Sequence, residues 1–225
     1  MLKAKAFLIC LLLATHAVAS DKVPPKVWES SKSVCKVMVP NADGSVSYGS
    51  GTYIGANLVV TAAHVTGRNL KGWVNFSTTN ESVRFNTWCE ETHIDFALVV
   101  LEKEPSVKPV KVAEVGLRQG DHSYIVGHPK AVQQLQITRS LAGGLDAERK
   151  WRATHNEAGV LSGYSGGATF NVNGEFIGPV WGSRYFPQQG MYDKYARSVC
   201  LSQTRRYLFP WNARLAATGL YAGST

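Results

Sequence analysis

Ser162-Gly-Tyr-Ser165-Gly-Gly167-Ala-Thr-Phe-Asn-Val-Asn-Gly174-Glu-Phe-Ile-Gly-Pro-Val-Trp-Gly-Ser183 is the stretch whose reading decides the fold. Gly163, Gly166 and Gly167 flank Ser165, so the backbone can turn sharply there. Thr169 to Val172 reads as a strand, Asn173-Gly174 as a turn, and Glu175 to Trp181 as a second strand. A glycine two residues before the serine leaves room for backbone N–H groups to converge on a developing oxyanion, and the donors in that reading are Gly163 and Ser165. Glycine and serine also build ordinary surface turns, so the stretch needs support from the rest of the chain.

Support comes from two places upstream. The strand Leu58-Val-Val-Thr61 runs into Ala62-Ala63-His64, where two small residues let the chain turn tightly and hold an imidazole at the strand's end. Further on, Asp95 precedes Phe96-Ala-Leu-Val-Val-Leu101, an apolar run of the kind found in a strand buried on both faces. A carboxylate at that entrance is placed to be buried and needs a partner, for which His64 is the natural candidate. His64, Asp95 and Ser165 could each be an ordinary structural residue alone; their conjunction, in the order His, Asp, Ser, is that of one of the convergent catalytic triads.

The remainder is strand-rich. Val34 to Val39, Val46 to Tyr48, Thr52 to Ile54 and Leu58 to Thr61 are short strand candidates separated by turn residues, among them Gly49-Ser-Gly51, and two more fall between Trp73 and Trp88. This spacing predicts an antiparallel barrel. Glu102 to Pro109 reads as a link to a second strand-rich half, with strands expected at Val110 to Ala113, Ser123 to Val126, Gln134 to Ser140, Trp151 to Thr154, Thr169 to Val172, Glu175 to Trp181 and Tyr195 to Ser198. A short helix is expected between Leu201 and Trp211.

Met1 to Ser20 carries Lys3 and Lys5, an apolar run from Ala6 to Ala14, and Ala17-Val-Ala19, which together read as a secretory signal cleaved after Ala19 and so as a secreted or periplasmic protein. An uncleaved anchor is the alternative, although the run is short for a stable membrane span. Removing residues 1–19 lowers the net charge from +8 to +6, and the scattered charges suggest no nucleic-acid groove. Asp21 to Ser33, with Pro24-Pro25, is expected to be an extended leader. The exported chain keeps Cys35, Cys89 and Cys200, which permit at most one internal disulfide and do not reveal its pairing. Asn75 and Asn80 each begin a formal N-glycosylation sequon.

Through Gly49-Ser-Gly-Thr52, Thr61-Ala-Ala-His64, Asp95-Phe-Ala-Leu98 and Gly163-Tyr-Ser-Gly-Gly167, the sequence resembles the trypsin/chymotrypsin-like serine proteases from about Val34 to Val199. The segments Gly120 to Pro129 and Gln136 to Arg139 are more like the HtrA-like, glutamyl-endopeptidase and sobemovirus-type branches than the pancreatic enzymes. The resemblance implies an all-β fold of two six-stranded antiparallel Greek-key barrels with the active site between them. On that basis residues 1–19 form the signal, 20–33 the leader, 34–104 the first barrel, 105–200 the second, and 201–225 a helix and tail. Ser165 would be the nucleophile, His64 the general base, and Asp95 the group that fixes its tautomer, with Gly163 and Ser165 N–H groups as oxyanion hole and neither cofactor nor metal required. The partner is a protein or peptide substrate, and the oligomeric state stays open.

Two departures carry information. Tyr164 stands where pancreatic-type enzymes place the aspartate that receives a new N-terminal ammonium, which implies that this activation route is absent. The primary pocket maps to Gly159, Val160, Leu161 and Ser162 on one side and Val180, Trp181 and Gly182 on the other, and none is acidic. A small or apolar substrate residue before the scissile bond is therefore expected, unless His155 or Arg184 turns into the pocket. Two alternatives are a viral polyprotein-processing protease with a membrane-anchoring N-terminus and a catalytically silent binding protein on the same fold.

Overall fold

The computed structural model describes residues 23–67, 69, 71–129, 134–150, 152–156, 158, 160, 162–183, 185–186, 188, 191–192 and 195–211. The signal-like segment, Gly159, Leu161, Arg184 and the tail after Trp211 lie outside them. Strands β1 (Val34–Pro40), β2 (Val46–Gly55), β3 (Leu58–Thr61), β4 (Lys71–Phe76), β5 (Glu81–Glu91) and β6 (Phe96–Leu101) close into one barrel in the order β1-β2-β3-β6-β5-β4. A second barrel closes in the order β10-β11-β14-β9-β8-β7 from β7 (His122–Gly127), β8 (Gln136–Leu145), β9 (Arg152–Asn156), β10 (Ala168–Phe170), β11 (Phe176–Gly182) and β14 (Ala196–Val199). All named strand pairs are antiparallel, and closure leaves neither barrel an unpaired edge. A small hairpin, β12 (Tyr185–Phe186) with β13 (Met191–Tyr192), was not anticipated, because two-residue strands leave no alternation to read.

Strand β6 shows why its sequence is apolar throughout. Phe96 and Leu98 face a cluster shared by both barrels, with Val60, Tyr124, Phe170 and Phe176, whereas Val99 and Leu101 face the interior of the first barrel with Val37, Tyr53, Phe76 and Phe85. Burial on both faces is worth roughly 1.5–3 kcal/mol per large side chain, and it places the mouth of β6 at the seam between the barrels.

Three expectations need correction. Gly49-Ser-Gly51 is the interior of one continuous ten-residue strand rather than a break. A Cβ on Gly49 would lie 2.5 Å from a Val65 methyl and 2.9 Å from the Ser165 carbonyl oxygen, so glycine here serves close approach. Val110 to Ala113 forms only an isolated bridge, Val112 to Phe176. Residues 25–31 of the expected extended leader are a helix, α1 (Pro25–Ser31). Pro25 occupies the first helical turn, where its missing N–H is no loss, and Val27 is fully buried in the shared core.

The C-terminal helix is present as α3 (Leu201–Leu208), followed by a 3₁₀ turn at Phe209–Trp211, and it anchors Leu208 in the core. No helix among the described residues is long and apolar enough to cross a membrane. Cys35 and Cys200 are free thiols, and burial pushes the Cys35 thiol well above its usual range. Asn75 is buried in β4 with its amide donating to Ser82 Oγ at 3.0 Å, whereas Asn80 lies in an exposed turn.

Candidate active site

Three local structures converge at the seam. β3 ends at Thr61 and the chain enters a single helical turn, α2 (Ala63–Thr66), whose second residue is His64. Ala62 and Ala63 are buried against the barrel, where larger side chains would displace the turn. From β5 the chain reverses through Thr92, His93 and Ile94 into β6, and Asp95 takes the left-handed conformation, φ 59°. That strained backbone aims its carboxylate at α2. One oxygen, Oδ2, lies 2.6 Å from His64 Nδ1, and Oδ1 accepts the His64 backbone N–H at 2.9 Å. Asp95 is 8% exposed while the His64 side chain is half exposed, so the pair is fixed on its inner side and open on its outer side.

The serine comes from the second barrel. Ser165 sits between Gly163, φ 100°, and Gly166, φ 81°. A Cβ on Gly166 would lie 2.2 Å from both Ser50 O and Thr61 Oγ1, so only glycine fits beneath the serine. Gly166 N–H donates to Val180 O and Gly167 N–H to Tyr164 O, which closes the turn onto β11. Ser50 of the first barrel holds it from the other side: its N–H donates to Ser165 O at 2.7 Å and its hydroxyl to Gly163 O at 2.7 Å. Thr61 Oγ1 in turn donates to Ser50 O, and His128 N–H donates to Ser50 Oγ. The motifs alone give Ser50 no role; its signal was a small polar residue between two glycines on a strand.

His64, Asp95 and Ser165 line one cavity of about 460 Å³ together with Thr92, His93, Arg149, Val160, Ser162, Trp181, Gly182 and Ser183. Ser165 Oγ donates to the Trp181 carbonyl at 3.3 Å, and no hydrogen bond joins it to His64 among the described residues. The N–H groups of Gly163 and Ser165 likewise meet no acceptor among the described residues.

Of the expected pocket residues, Val160, Ser162, Trp181 and Gly182 line this cavity. Val180 does not: it is fully buried and packs with Val160, Tyr164 and Ile125 behind the wall. Gly159 and Leu161 lie outside the described residues. Thr92, His93, Arg149 and Ser183 were not foreseen as lining, since each comes from a loop whose path the motifs do not encode. Trp181 is backed by the Arg152 guanidinium 4.8 Å from its ring centroid, and Arg152 pairs with Asp146 at 2.7 Å. Burial works to raise the Asp146 carboxyl, but hydrogen bonds from Arg152 and from the Arg149 and Glu148 N–H groups outweigh it and hold it below its ordinary value.

His155 does not enter the cavity. It lies fully buried in the second barrel, Nδ1 3.0 Å from Ser123 Oγ and Nε2 2.8 Å from Ser198 Oγ, and burial lowers its pKa to about 4. Arg184 lies outside the described residues. Tyr164 is buried, its hydroxyl 3.3 Å from both Thr138 Oγ1 and Gln136 Oε1, so the position before the serine offers no carboxylate to an incoming ammonium. Among the described residues no group of three His, Cys, Asp or Glu side chains is arranged to hold a metal ion.

The geometry agrees with the comparisons to known proteins. A family model described as "Trypsin-like peptidase domain" matches residues 49–178. The periplasmic serine endoprotease DegP of Escherichia coli (strain K12) is 30% identical over 89 residues, 37% of this chain and 19% of DegP. A probable periplasmic serine protease of the do/HhoA type from Haemophilus influenzae is 35% identical over 91 residues, again 37% of this chain and 19% of that protein. The chain thus spans about a fifth of the length of these curated relatives. Among solved structures, the serine endoprotease from Yersinia pestis superposes with a TM-score of 0.69 at 16% identity, covering 87% of this chain and 66% of that one. The active form of a protease from M. tuberculosis gives 0.70 at 21%, covering 82% and 83%. The two-barrel fold and the likeness to HtrA-like proteases are borne out, and the chain belongs to the family of trypsin-like peptidase domains.

Proposed function

We propose that the chain is a serine endopeptidase. The observation that carries the reading is a His64–Asp95 pair from one barrel and a glycine-cradled Ser165 from the other, open to a single cavity. Asp95 accepts from Nδ1–H of His64, which leaves Nε2 with its lone pair towards the cavity. In the reaction the Ser165 hydroxyl exchanges the Trp181 carbonyl for that lone pair, a contact that substrate binding tightens. Oγ then attacks the scissile carbonyl carbon while Nε2 takes the hydroxyl proton. The negative oxygen is received by the N–H groups of Gly163 and Ser165, the proton passes to the leaving amine, and water hydrolyses the resulting ester by the same route in reverse.

The side chain before the scissile bond is small or apolar. Asp95 is the only carboxylate among the described cavity-lining residues and is engaged with His64, so a substrate guanidinium or ammonium would enter without a counter-ion. An apolar side chain instead gains roughly 25 cal/mol per Å² buried, enough for one or two orders of magnitude in preference. A secreted or periplasmic location fits the signal-like N-terminus and the periplasmic relatives. The test is mass spectrometry of the products from a diverse peptide library, with Ser165→Ala as control. Cleavage abolished by the substitution and enriched after small or apolar residues is expected. Equal cleavage by both proteins would overturn the catalytic reading, and a profile dominated by Arg or Lys would overturn the pocket alone. The silent-homologue reading draws on the Ser165 hydroxyl being bonded to the Trp181 carbonyl rather than to His64, and absence of any cleavage would decide in its favour.

A further inference from the structure

Outside the cavity, the first barrel carries a surface that neither its folding nor the reaction above employs. The register sets Arg84 of β5 opposite Trp73 of β4, Trp73 opposite Met38 of β1, and Met38 opposite Tyr48 of β2. Directly opposed residues of antiparallel strands share a face, so the four side chains form one row across the outside of the barrel. The alternate residues Val37, Val74 and Val83 point into the core. Trp73 is 38% and Tyr48 45% exposed, although burying such side chains would be favourable. Lys36 Nζ lies 5.6 Å from the Tyr48 ring centroid, and Lys71 shares the face two residues from Trp73. The outward positions on these strands, from Lys36 to Pro40, Val46 to Tyr48, Lys71 to Asn75 and Ser82 to Asn86, include three cations and no acid.

This row runs up to the nucleophile. Ser50 is the next position on the Tyr48 face of β2, and it is Ser50 that donates to Ser165 O and Gly163 O. Ser165 therefore has Trp181 against its hydroxyl and Ser50 against its carbonyl, with the row beginning beyond Ser50. The cavity lined by Val160 and Trp181 takes the half of the substrate that becomes the ester. On the endopeptidase reading the other half of the substrate lies outside this cavity, and the row of Tyr48, Met38 and Trp73 is a largely apolar surface that begins two residues from Ser50.

We propose that this row docks the part of a polypeptide substrate beyond the scissile bond, and that it selects segments combining aromatic or large apolar residues with acidic ones. The proposal rests on the endopeptidase reading for its setting. The chemistry of the partner follows from the surface: aromatic faces and a methionine for apolar side chains, and Lys36, Lys71 and Arg84 for carboxylates. An anionic lipid surface offers related chemistry, but continuity of the row with the Ser165 turn favours a chain already held there.

Two measurements on the full chain test it. In the Ser165→Ala protein, a short fluorescein-labelled peptide of phenylalanine and aspartate residues is expected to bind more tightly than a glycine-serine peptide by fluorescence anisotropy. Trp73→Ser should weaken that binding about tenfold, and Arg84→Glu by a lesser factor that vanishes at high salt. With Ser165 present, Trp73→Ser should lower kcat/KM about tenfold, through KM, on a peptide extended past the cut by the same residues. It should leave unchanged the turnover of an anilide substrate that has nothing past the cut. Unchanged peptide binding in both Trp73→Ser and Arg84→Glu overturns the proposal, and so does an equal loss on the anilide. Failure of the Ser165 protein to cut anything sinks the endopeptidase reading, while the binding measurement still decides the docking row. Binding to phosphatidylglycerol vesicles that Trp73→Ser abolishes, without any binding of the peptide, assigns the row to lipid and also overturns the proposal.

Discussion

The first barrel closes over Val37, Tyr53, Val74, Phe76, Val83, Phe85 and Val99, a largely apolar interior from which the Tyr53 hydroxyl reaches Glu104. The second closes over a line of hydrogen bonds, Ser123 to His155 to Ser198, with all three residues fully buried. A neutral imidazole has one donor and one acceptor nitrogen, and two rotatable hydroxyls satisfy both, while burial away from water penalises the charged ring, so this interior is more stable with His155 uncharged. The contributions to the seam differ in a parallel way. The first barrel supplies a pair whose geometry is set by side-chain hydrogen bonds, His64 and Asp95. The second supplies a side chain whose place is set by backbone, because the serine turn rests on glycines and on Ser50. Side-chain geometry can be altered at constant fold, whereas a backbone turn cannot, and the two barrels should accordingly fail in different ways.

The largest effect expected is at the side-chain pair. Asp95→Asn keeps the size of the group but presents an amide that can hold the imidazole in the wrong tautomer. Turnover should fall by roughly 10⁴ with peptide binding and thermal stability nearly unchanged. Single-turnover kinetics beside a melting curve checks both, and a small loss would mean that another group orients His64. Next is the backbone turn. Gly166→Ala places a methyl 2.2 Å from Ser50 O at φ 81°, and should cost about 4 kcal/mol of stability together with most of the activity. Gly44→Ala, in the β1–β2 hairpin at φ 83° with nothing within 4 Å, is the control and should cost only about 1 kcal/mol. Equal losses in chemical denaturation would remove the distinction drawn between the two kinds of support.

What was legible in the sequence follows the same division. Asp95 and His64 could be paired from residue types alone, since a carboxylate at the mouth of a doubly buried strand needs a partner. The serine turn was legible because three glycines within two residues of one serine mark a backbone bend too tight for side chains. The continuity of β2 was not, because glycine signals both a break and a close approach, and only the presence of Val65 and Ser165 behind Gly49 tells which. Helix α1 was hidden by Pro24-Pro25, which suit an extended chain as well as a helix start. For His155 the strand read from the sequence stops one residue short, at Thr154, and gives no direction for the side chain, which turns into the barrel rather than towards the pocket. The docking row is hidden for a different reason: Met38, Tyr48 and Trp73 are distant in sequence and meet only through strand register.

Acid should separate the interiors. His155 has a folded pKa of about 4 against an ordinary 6.5, so between those values the unfolded chain binds a proton that the folded chain refuses. Its contribution is complete above about pH 6.5 and is lost as pH falls towards 4, by about 3 kcal/mol in all. His155→Gln, which keeps a donor and an acceptor, should flatten the stability curve across that window even if it lowers the plateau. Urea denaturation at a series of pH values is the measurement, and an unchanged slope in the substituted protein would show that some other group carries the acid sensitivity.

The smallest effect belongs to the first barrel and lies lower on the pH scale. Glu81, at the start of β5, accepts the Ser106 N–H at 2.8 Å and the Ser106 hydroxyl at 2.7 Å, and pairs with Lys103 at 2.9 Å. Those bonds, the backbone N–H first, hold its carboxyl down at about 2. A depressed carboxyl stabilises the fold above its unfolded value and loses that contribution as the pH drops from about 4.5 to 2, below the window in which His155 acts. The group sits at the rim, where water and salt screen it, so the contribution is about 1 kcal/mol rather than the full amount its pKa would suggest. Glu81→Gln keeps the size of the group but weakens its acceptance from Ser106 and removes the ion pair. It should therefore cost about that much near neutral pH and nothing at pH 2. The His155→Gln protein, by contrast, should keep this lower transition intact. If Glu81→Gln instead altered stability between pH 6.5 and 4, the two barrels would not be separable by acid, and the contrast between an apolar and a hydrogen-bonded interior would lose its simplest thermodynamic signature.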